Sequence, residues 1–144
     1  MKKFFPAALI LSLMAAAAVF QCKPSATVAV VYSHDASPLE AFSVKELQRY
    51  LYLRSGILAE IVQSDTIPGG FDYCLAAGSK HSGIFRGLPD ADHLAKLAGG
   101  LNSEEYLIRS FRTPGPRLFV IAGGDGPGVL YGTYRFLEHT GIHY

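Results

Sequence analysis

The sequence lacks the features that mark several specialised classes of protein. It has no tryptophan and only two cysteines in 144 residues, so a disulfide-rich scaffold is excluded. Thirteen Lys and Arg residues stand against twelve Asp and Glu residues, which gives a formal net charge of +1. Because the positive excess is this small, and no basic patch is interleaved with aromatic residues, we expect no binding to nucleic acid. The length and the 49% hydrophobic content are those of one globular domain.

The N-terminal segment has the composition of an export signal. Lys2 and Lys3 precede an uncharged apolar run over residues 7–20, and four alanines occupy 15–18. These three parts are typical of a secretory signal, and the run is shorter than the about 20 residues that a membrane-spanning helix needs. We therefore expect a signal peptide over residues 1–22, an exported mature domain over residues 23–144, and a location in the periplasm, in the outer membrane or outside the cell.

The sequence around Cys22 is compatible with two ways of processing the signal peptide. Residues 19–22 (VFQC) resemble the lipobox of bacterial lipoproteins, in which the cysteine is lipidated. Phe20 and Gln21 depart from that pattern, because small residues are usual there. The alternative is ordinary cleavage near the alanines, which leaves Cys22 as an incidental thiol. A lipid on Cys22 would be the only attachment of the chain to a membrane.

The remaining chain alternates between strand and helix patterns. One helix is predicted to begin after Ser37, because Pro38 at the first helical position and Glu40 three residues after the cap form a capping box. It should end at Gly56, and a second helix should run over residues 127–140. Short apolar and β-branched runs bounded by turn residues predict strands at 27–33, 58–64, 71–77, 105–111 and 117–122.

These elements predict an α+β fold. We expect a mixed β-sheet of about five strands with the two main helices packed on one face, because that arrangement buries both apolar helix stripes. The last two strands should form a hairpin, and Cys74 should be buried as a small hydrophobic residue. Residues 80–101 are glycine-dotted, and we expect them to form an exposed, mobile loop with a short helix over 92–97.

No local motif in the chain assigns a reaction. The glycine-rich turn at 123–128 could hold a phosphate at a helix N-terminus, but it matches neither the dinucleotide-binding fingerprint nor the P-loop, so a packing turn is the favoured interpretation. His34 and Asp35 could line a cleft at a strand end or form a solvated turn. His139 and His143 lack the metalloprotease pattern. Residues 79–82 (SKHS) are interpreted as loop residues, since no nucleophile elbow surrounds them.

Sugar hydrolysis would need two carboxylates facing one cleft, and the spacing of the available carboxylates does not force convergence. Aromatic residues could stack on sugars if exposed, although helical spacing favours the core for them. We therefore predict no catalytic residue, no cofactor-binding residue and no metal ligand in this chain. The carboxylates considered are Asp90, Asp92, Glu104 and Glu105, and the tyrosines are Tyr50, Tyr52, Tyr131 and Tyr134.

Three segments carry a resemblance to a known family. They are ELQRYL at 46–51 with Gly56, EYLI at 105–108, and IAGGDGPGVLYGTYRFLE at 121–138 with Gly141 and Ile142. Together they resemble the N-terminal domain of bacterial α-glucuronidases, and the same fold is similar to the second domain of β-hexosaminidases. The resemblance covers most of residues 28–142, and it is specific for a fold and not for a substrate.

The resemblance implies an accessory domain that precedes a catalytic (β/α)8 barrel. The catalytic groups of these families belong to the barrel, so no catalytic residue is carried over to this chain. We expect a noncatalytic accessory domain of an exported glycoside hydrolase, with the barrel as its partner in the same or a separate polypeptide and polysaccharide as a further partner. A stand-alone surface lipoprotein that binds glycan or protein is the alternative, and a small anion-binding enzyme built on the glycine turn is a third hypothesis.

Overall fold

The computed structural model describes residues 26–141. The predicted signal peptide, Cys22 and His143 lie outside this range. Within it the strands are β1 (Val28–Tyr32), β2 (Glu60–Gln63), β3 (Tyr73–Ser79), β4 (Tyr106–Phe111) and β5 (Arg117–Gly123). The α-helices are α1 (Pro38–Ser55), α2 (Ala91–Gly99) and α3 (Gly126–His139), and a short 3-10 helix spans Gly83–Gly87.

The five strands form one mixed sheet in the order β2-β1-β3-β5-β4. All neighbouring pairs are parallel except β4 and β5, which are antiparallel. Tyr106 lies opposite Gly123 and Phe111 opposite Leu118 in that pair. The predicted α+β class, the strand number and the hairpin are therefore confirmed.

Helix α1 begins and ends at the predicted residues. The Ser37 hydroxyl accepts a hydrogen bond from the Glu40 N–H at 3.3 Å, and the Glu40 carboxylate accepts one from the Ser37 N–H at 2.7 Å. At the other end Gly56 adopts a φ of +72° and its N–H donates to the Tyr52 carbonyl at 2.8 Å. A left-handed φ of this kind favours glycine, which is why the helix stops there.

Helices α1 and α3 pack together on one face of the sheet, as predicted. Gly132 lets α3 come close, because a Cβ atom at this position would lie 2.8 Å from Ile121 Cγ2 and 3.0 Å from Tyr106 Cβ. Between the helices the Tyr134 hydroxyl donates to Glu46 at 3.0 Å. Glu46 is only 7% exposed, because it lies at this contact between the two helices. The core on this face includes Val30, Val44, Leu47, Leu75, Ile121, Val129 and Leu137.

The prediction of an exposed excursion over residues 80–101 is wrong. The 3-10 helix and α2 cover the second face of the sheet and bury Ile84, Phe85 and Leu94 against Cys74 and its neighbours. A largely parallel sheet has two apolar faces, and both need a cover. The predicted short helix is confirmed and extends over Ala91–Gly99, and Cys74 is fully buried as predicted.

Candidate functional site

A ligand site in a sheet of this kind is expected at the carboxyl ends of the parallel strands. In open α/β sheets, ligands bind where the connections of neighbouring strands leave in opposite directions. Here that point lies between β1 and β3, because β1 leads through α1 to β2, whereas β3 leads through α2 to the other side of the sheet. Ser33 and His34 follow β1, Asp65 follows β2, and residues 79–82 end or follow β3.

Asp65 ties the ends of β1 and β2 together. Its carboxylate accepts hydrogen bonds from the Ser33 hydroxyl and, at 3.1 Å, from the His34 backbone N–H, and it lies 3.4 Å from the His34 ring. The Ser33 hydroxyl and then the His34 N–H hold the pKa of Asp65 below its usual range. Here the aspartate bridges the serine and the histidine, so the imidazole does not stand between them as it does in a nucleophilic triad. Asp35 is exposed, and the partner of His34 is a residue 31 positions away.

Glu40 is a buried carboxylate at the same edge, and its two oxygens are both engaged. One accepts the Ser37 N–H within the capping box at 2.7 Å, and the other accepts the Ser79 N–H at 2.5 Å. The side chain is 4% exposed. The contact with Ser79 could not be found from sequence spacing, because it joins the start of α1 to the end of β3.

Residues 79–82 do not assemble into a reactive cluster. The backbone N–H of Lys80 donates to the Gly123 carbonyl, and its ammonium group donates to the Leu101 carbonyl, both at 2.7 Å. Ser82 is 5% exposed and its hydroxyl has no partner among residues 26–141. His81 is exposed and borders an open cavity of about 440 Å³ beside α2. The favoured interpretation as loop residues therefore agrees with their contacts.

The glycine-rich turn binds its own chain in place of an anion. The Gly124 N–H donates to the Glu105 carbonyl at 2.8 Å, and the Gly128 N–H donates to the Asp125 carboxylate at 2.9 Å. A Cβ atom at Gly124 would lie 1.8 Å from the Asn102 carbonyl oxygen. These two N–H groups are thus not available to a phosphate at this helix N-terminus, which supports the packing interpretation.

Asp125 caps α3 and also fastens the segment that leads into β4. Its carboxylate accepts the Ser103 hydroxyl at 2.5 Å and the Glu104 N–H at 3.0 Å in addition to the Gly128 N–H. These donors, with the Ser103 hydroxyl first, hold the pKa of Asp125 below its usual range. The carboxylate is therefore an organiser of the turn.

The other candidate residues lie at separate places. Asp90 and Asp92 stand at the start of α2, whereas Glu105 accepts from the backbone and side-chain nitrogens of Asn102 in the turn before β4. No hydrogen bond or ion pair joins these carboxylates in the part of the chain that the structure describes. Tyr50 and Tyr134 are half-buried on α1 and α3, and Tyr52 and Tyr131 are exposed. His139 lies on the last turn of α3.

Among the further cavities of residues 26–141, two share the side chains of Phe119 and Phe136. The first, the basal cavity, has a volume of about 270 Å³ and an almost entirely apolar wall at the amino ends of the parallel strands. Ala26 and Thr140 line it as well, so both ends of the described domain lie beside it. Its side chains include Leu51, Ile57, Tyr73, Leu75, Phe119 and Phe136.

The second cavity, the β4 groove, has a volume of about 470 Å³ and lies between the edge strand β4 and α3. Phe119 and Phe136 line both cavities, and their rings meet edge to face with centroids 5.6 Å apart. This aromatic pair therefore separates an apolar surface from a basic one. The groove is lined by Tyr106, Ile108, Arg109, Ser110, Phe119, Arg135, Phe136 and His139.

Residues 26–141 contain no group of three or more His, Cys, Asp or Glu side chains arranged to hold a metal ion. Cys74 is buried on the α2 side of the sheet, and burial raises the pKa of its thiol. No helix of the described range is long and apolar enough to cross a membrane.

Solved structures with a similar fold come from large carbohydrate-active enzymes. A GH138 enzyme targeting pectin rhamnogalacturonan II matches 81% of this chain with a TM-score of 0.50 and 18% identity. A family GH115 4-O-methyl-α-glucuronidase with specificity for decorated arabinogalactans matches 81% with a TM-score of 0.52 and 19% identity. The fold of this chain is thus one that occurs within glycoside hydrolases.

This chain matches only a small part of each neighbour. The match covers 10% of the GH138 chain and 14% of the GH115 chain. No family model matches the sequence, and no curated protein matches it. At these identities the likeness concerns the fold alone.

Proposed function

We propose that this chain is a noncatalytic accessory domain of an exported glycoside hydrolase of the α-glucuronidase type. The observation that carries the proposal is the fold, which is that of a small part of much larger glycoside hydrolases. The partner is the catalytic unit, a (β/α)8 barrel, in the same or a separate polypeptide. Export follows from the expected signal peptide over residues 1–22, with lipidation of Cys22 as one outcome.

The hydrogen bonding of the carboxylates at the carboxyl ends of the strands supports a noncatalytic role. Glu40, Asp65 and Asp125, three of the carboxylates at that edge, accept hydrogen bonds from the domain itself. A general acid or base must be within reach of a substrate proton. These three groups instead join strand ends and helix starts to one another, so they serve the fold.

The basal cavity supports a docking role. An apolar wall of this kind is typical of a contact surface when it is open to solvent, and the exposed side chains of Leu58 and Tyr73 add to the apolar surface at the same end of the sheet. Both ends of the described domain lie there. A catalytic unit attached at either end would therefore be held next to this cavity at high effective concentration.

The reading frame beyond the Tyr144 codon gives the first test. We expect it, or a neighbouring gene, to encode a (β/α)8 barrel with the catalytic carboxylates. Joint expression should then give a complex or a single chain whose glycosidase activity belongs to the barrel. A stop codon with no barrel encoded nearby would contradict the proposal and favour a stand-alone surface lipoprotein.

A pair of variants tests the docking surface in that assembly. Tyr73→Asp places a charge at the basal cavity and should weaken attachment, measured as lower thermal stability of the assembly or as dissociation of separate chains. Tyr52→Asp on α1, which is 51% exposed and does not line the cavity, is the matched control. Equal effects of the two variants would place the contact elsewhere. Glycoside cleavage by the isolated chain, abolished by replacing one of its own carboxylates, would refute the noncatalytic role.

A further inference from the structure

The β4 groove carries charge that the docking proposal does not use. Arg109, Arg135 and His139 are among its lining residues, and no Asp or Glu is. The whole chain, in contrast, has a formal net charge of only +1. The lining thus includes two guanidinium groups, and Arg135 is paired with the carboxylate of Glu138, which does not line the groove.

The floor of the groove follows from the alternation of side chains along β4. Ile108 packs into the same core as α3, so the residues two positions before and after it share that face. Ser110 lies opposite Phe119 in the register of the hairpin. The floor thus runs from Tyr106 to Ser110, about 13 Å along an extended strand. Such a strip is longer than a single sugar ring.

The wall of the groove follows from the close approach of α3. The missing side chain at Gly132 lets Tyr106 contact the helix, and Arg135 follows one turn later on α3. The guanidinium of Arg135 lies 2.8 Å from the Glu138 carboxylate, with the Arg135 side chain 53% exposed. The ring of His139 contacts the Arg135 carbonyl at 2.8 Å, which fixes its orientation at the same wall.

We propose that the β4 groove binds an anionic saccharide. A guanidinium presents a planar fork of donors that matches a carboxylate, and Arg135 is the group placed to receive it. The exposed face of Tyr106 and the Phe119–Phe136 pair give the sugar rings an apolar surface on which to pack. The choice of a saccharide over another anion rests on the proposed function, whereas the anionic character rests on the groove alone.

Titration of the isotopically labelled, purified exported chain tests the proposal by NMR. We expect an oligogalacturonide to shift the backbone signals of Tyr106, Arg135, Phe136 and His139. An uncharged malto-oligosaccharide of equal length should bind at least about fivefold more weakly, because the charge contact is absent. A sulfated oligosaccharide forms a further arm. Tighter binding of the carboxylated or of the sulfated sugar assigns the source of the anion, and either result supports the proposal.

Three variants locate the contact. Arg135→Gln should weaken oligogalacturonide binding about fivefold. Glu138→Gln should strengthen it, because it removes the carboxylate that competes for Arg135. Arg86→Gln removes the same charge from the opposite face of the sheet and should leave the affinity unchanged. A merely structural role for Arg135 would not predict opposite effects of the first two variants.

Three outcomes would overturn the proposal. The first is an absence of shifts in the groove, and the second is an equal loss of affinity in Arg86→Gln, which would indicate nonspecific charge. The third is binding of a poly-glutamate peptide as tightly as the saccharide, which would make the groove a protein contact. None of these results removes the docking role of the basal cavity, and a failed docking test leaves the titration informative.

Discussion

Glu40 shows how one side chain serves several parts of this domain. It closes the capping box of α1 through the Ser37 N–H and also receives the Ser79 N–H from the end of β3. Both carboxylate oxygens are thus acceptors for backbone donors in a place that water hardly reaches. Leaving a buried N–H group without an acceptor costs more free energy than an average hydrogen bond contributes. Glu40 should therefore contribute more to the stability of the fold than a capping residue on the surface would.

Glu40→Gln tests this dependence. The amide offers one acceptor oxygen for two N–H groups, and its NH2 group would face a donor. We expect the free energy of unfolding to fall by about 1–3 kcal/mol, measured by urea denaturation. Glu60→Gln, on the exposed side of β2, is the control and should change it by less than about 0.5 kcal/mol. Equal effects would show that Glu40 does not hold these donors.

At the scale of elements, the junction of α3 with the segment before β4 depends on backbone contact. The turn from β5 into α3 passes so close to Asn102 and Glu105 that side chains at Gly124 and Gly128 would overlap with their carbonyl oxygens. Asp125 and the Gly124 N–H then fasten the same two segments by hydrogen bonds. Glycine is required at both positions because the two backbone segments lie so close together, and not because of backbone conformation, since neither residue has a left-handed φ.

Gly124→Ala should therefore prevent or severely weaken folding. A Cβ atom would lie 1.8 Å from the Asn102 oxygen, and backbone cannot move away cheaply, so we expect a loss above about 3 kcal/mol. Gly99→Ala, at the end of α2 with no atom within 4 Å of the new Cβ, should instead stabilise the domain by about 0.5–1 kcal/mol. Thermal unfolding of both variants checks the contrast, and a well-folded Gly124→Ala protein would contradict it.

At the scale of the whole molecule, the carboxylates of Asp65, Asp72 and Asp125 join parts of the chain that lie 22 to 45 residues apart. The Thr27 N–H holds the pKa of Asp72 below its usual range, and the Asn102 N–H does the same for Glu105. The Ser33 and Ser103 hydroxyls act likewise on Asp65 and Asp125. Each group is favoured as a carboxylate in the folded state.

Acid should therefore destabilise this domain. A carboxyl group with a lowered pKa in the folded state adds stability above its unfolded pKa, about 4, and that stability is lost as the pH falls through the folded pKa. We expect the urea midpoint to decrease steadily between about pH 5 and pH 3. Asp72→Asn should be less stable at pH 7 and lose less stability over this interval, whereas Asp35→Asn, at an exposed position, should leave the stability at pH 7 unchanged. A flat wild-type profile would contradict the linkage.

Local sequence determined the elements of this protein. Ser37, Pro38, Glu40 and Gly56 fix both ends of α1 because capping and chain reversal depend on neighbouring residues. Apolar runs predict the strands, and the contacts of the glycine turn agree with its interpretation as a packing turn. The near-continuous apolar runs in β1, β3 and β5 also indicate that both faces of the sheet are covered. The glycine content of residues 80–101, however, favours a loop over the helix that covers the second face.

Only the tertiary structure decided which of these residues meet. The contacts of Asp65 with Ser33 and of Glu40 with Ser79 span 32 and 39 residues, and Tyr134 reaches Glu46 across 88. The β4 groove likewise needs β4 at the edge of the sheet and α3 brought close by Gly132. Helix caps and strand patterns depend on residues that are neighbours in the sequence. A surface site depends instead on the order of the strands in the sheet, and this order forms only when helices cover both faces of the sheet.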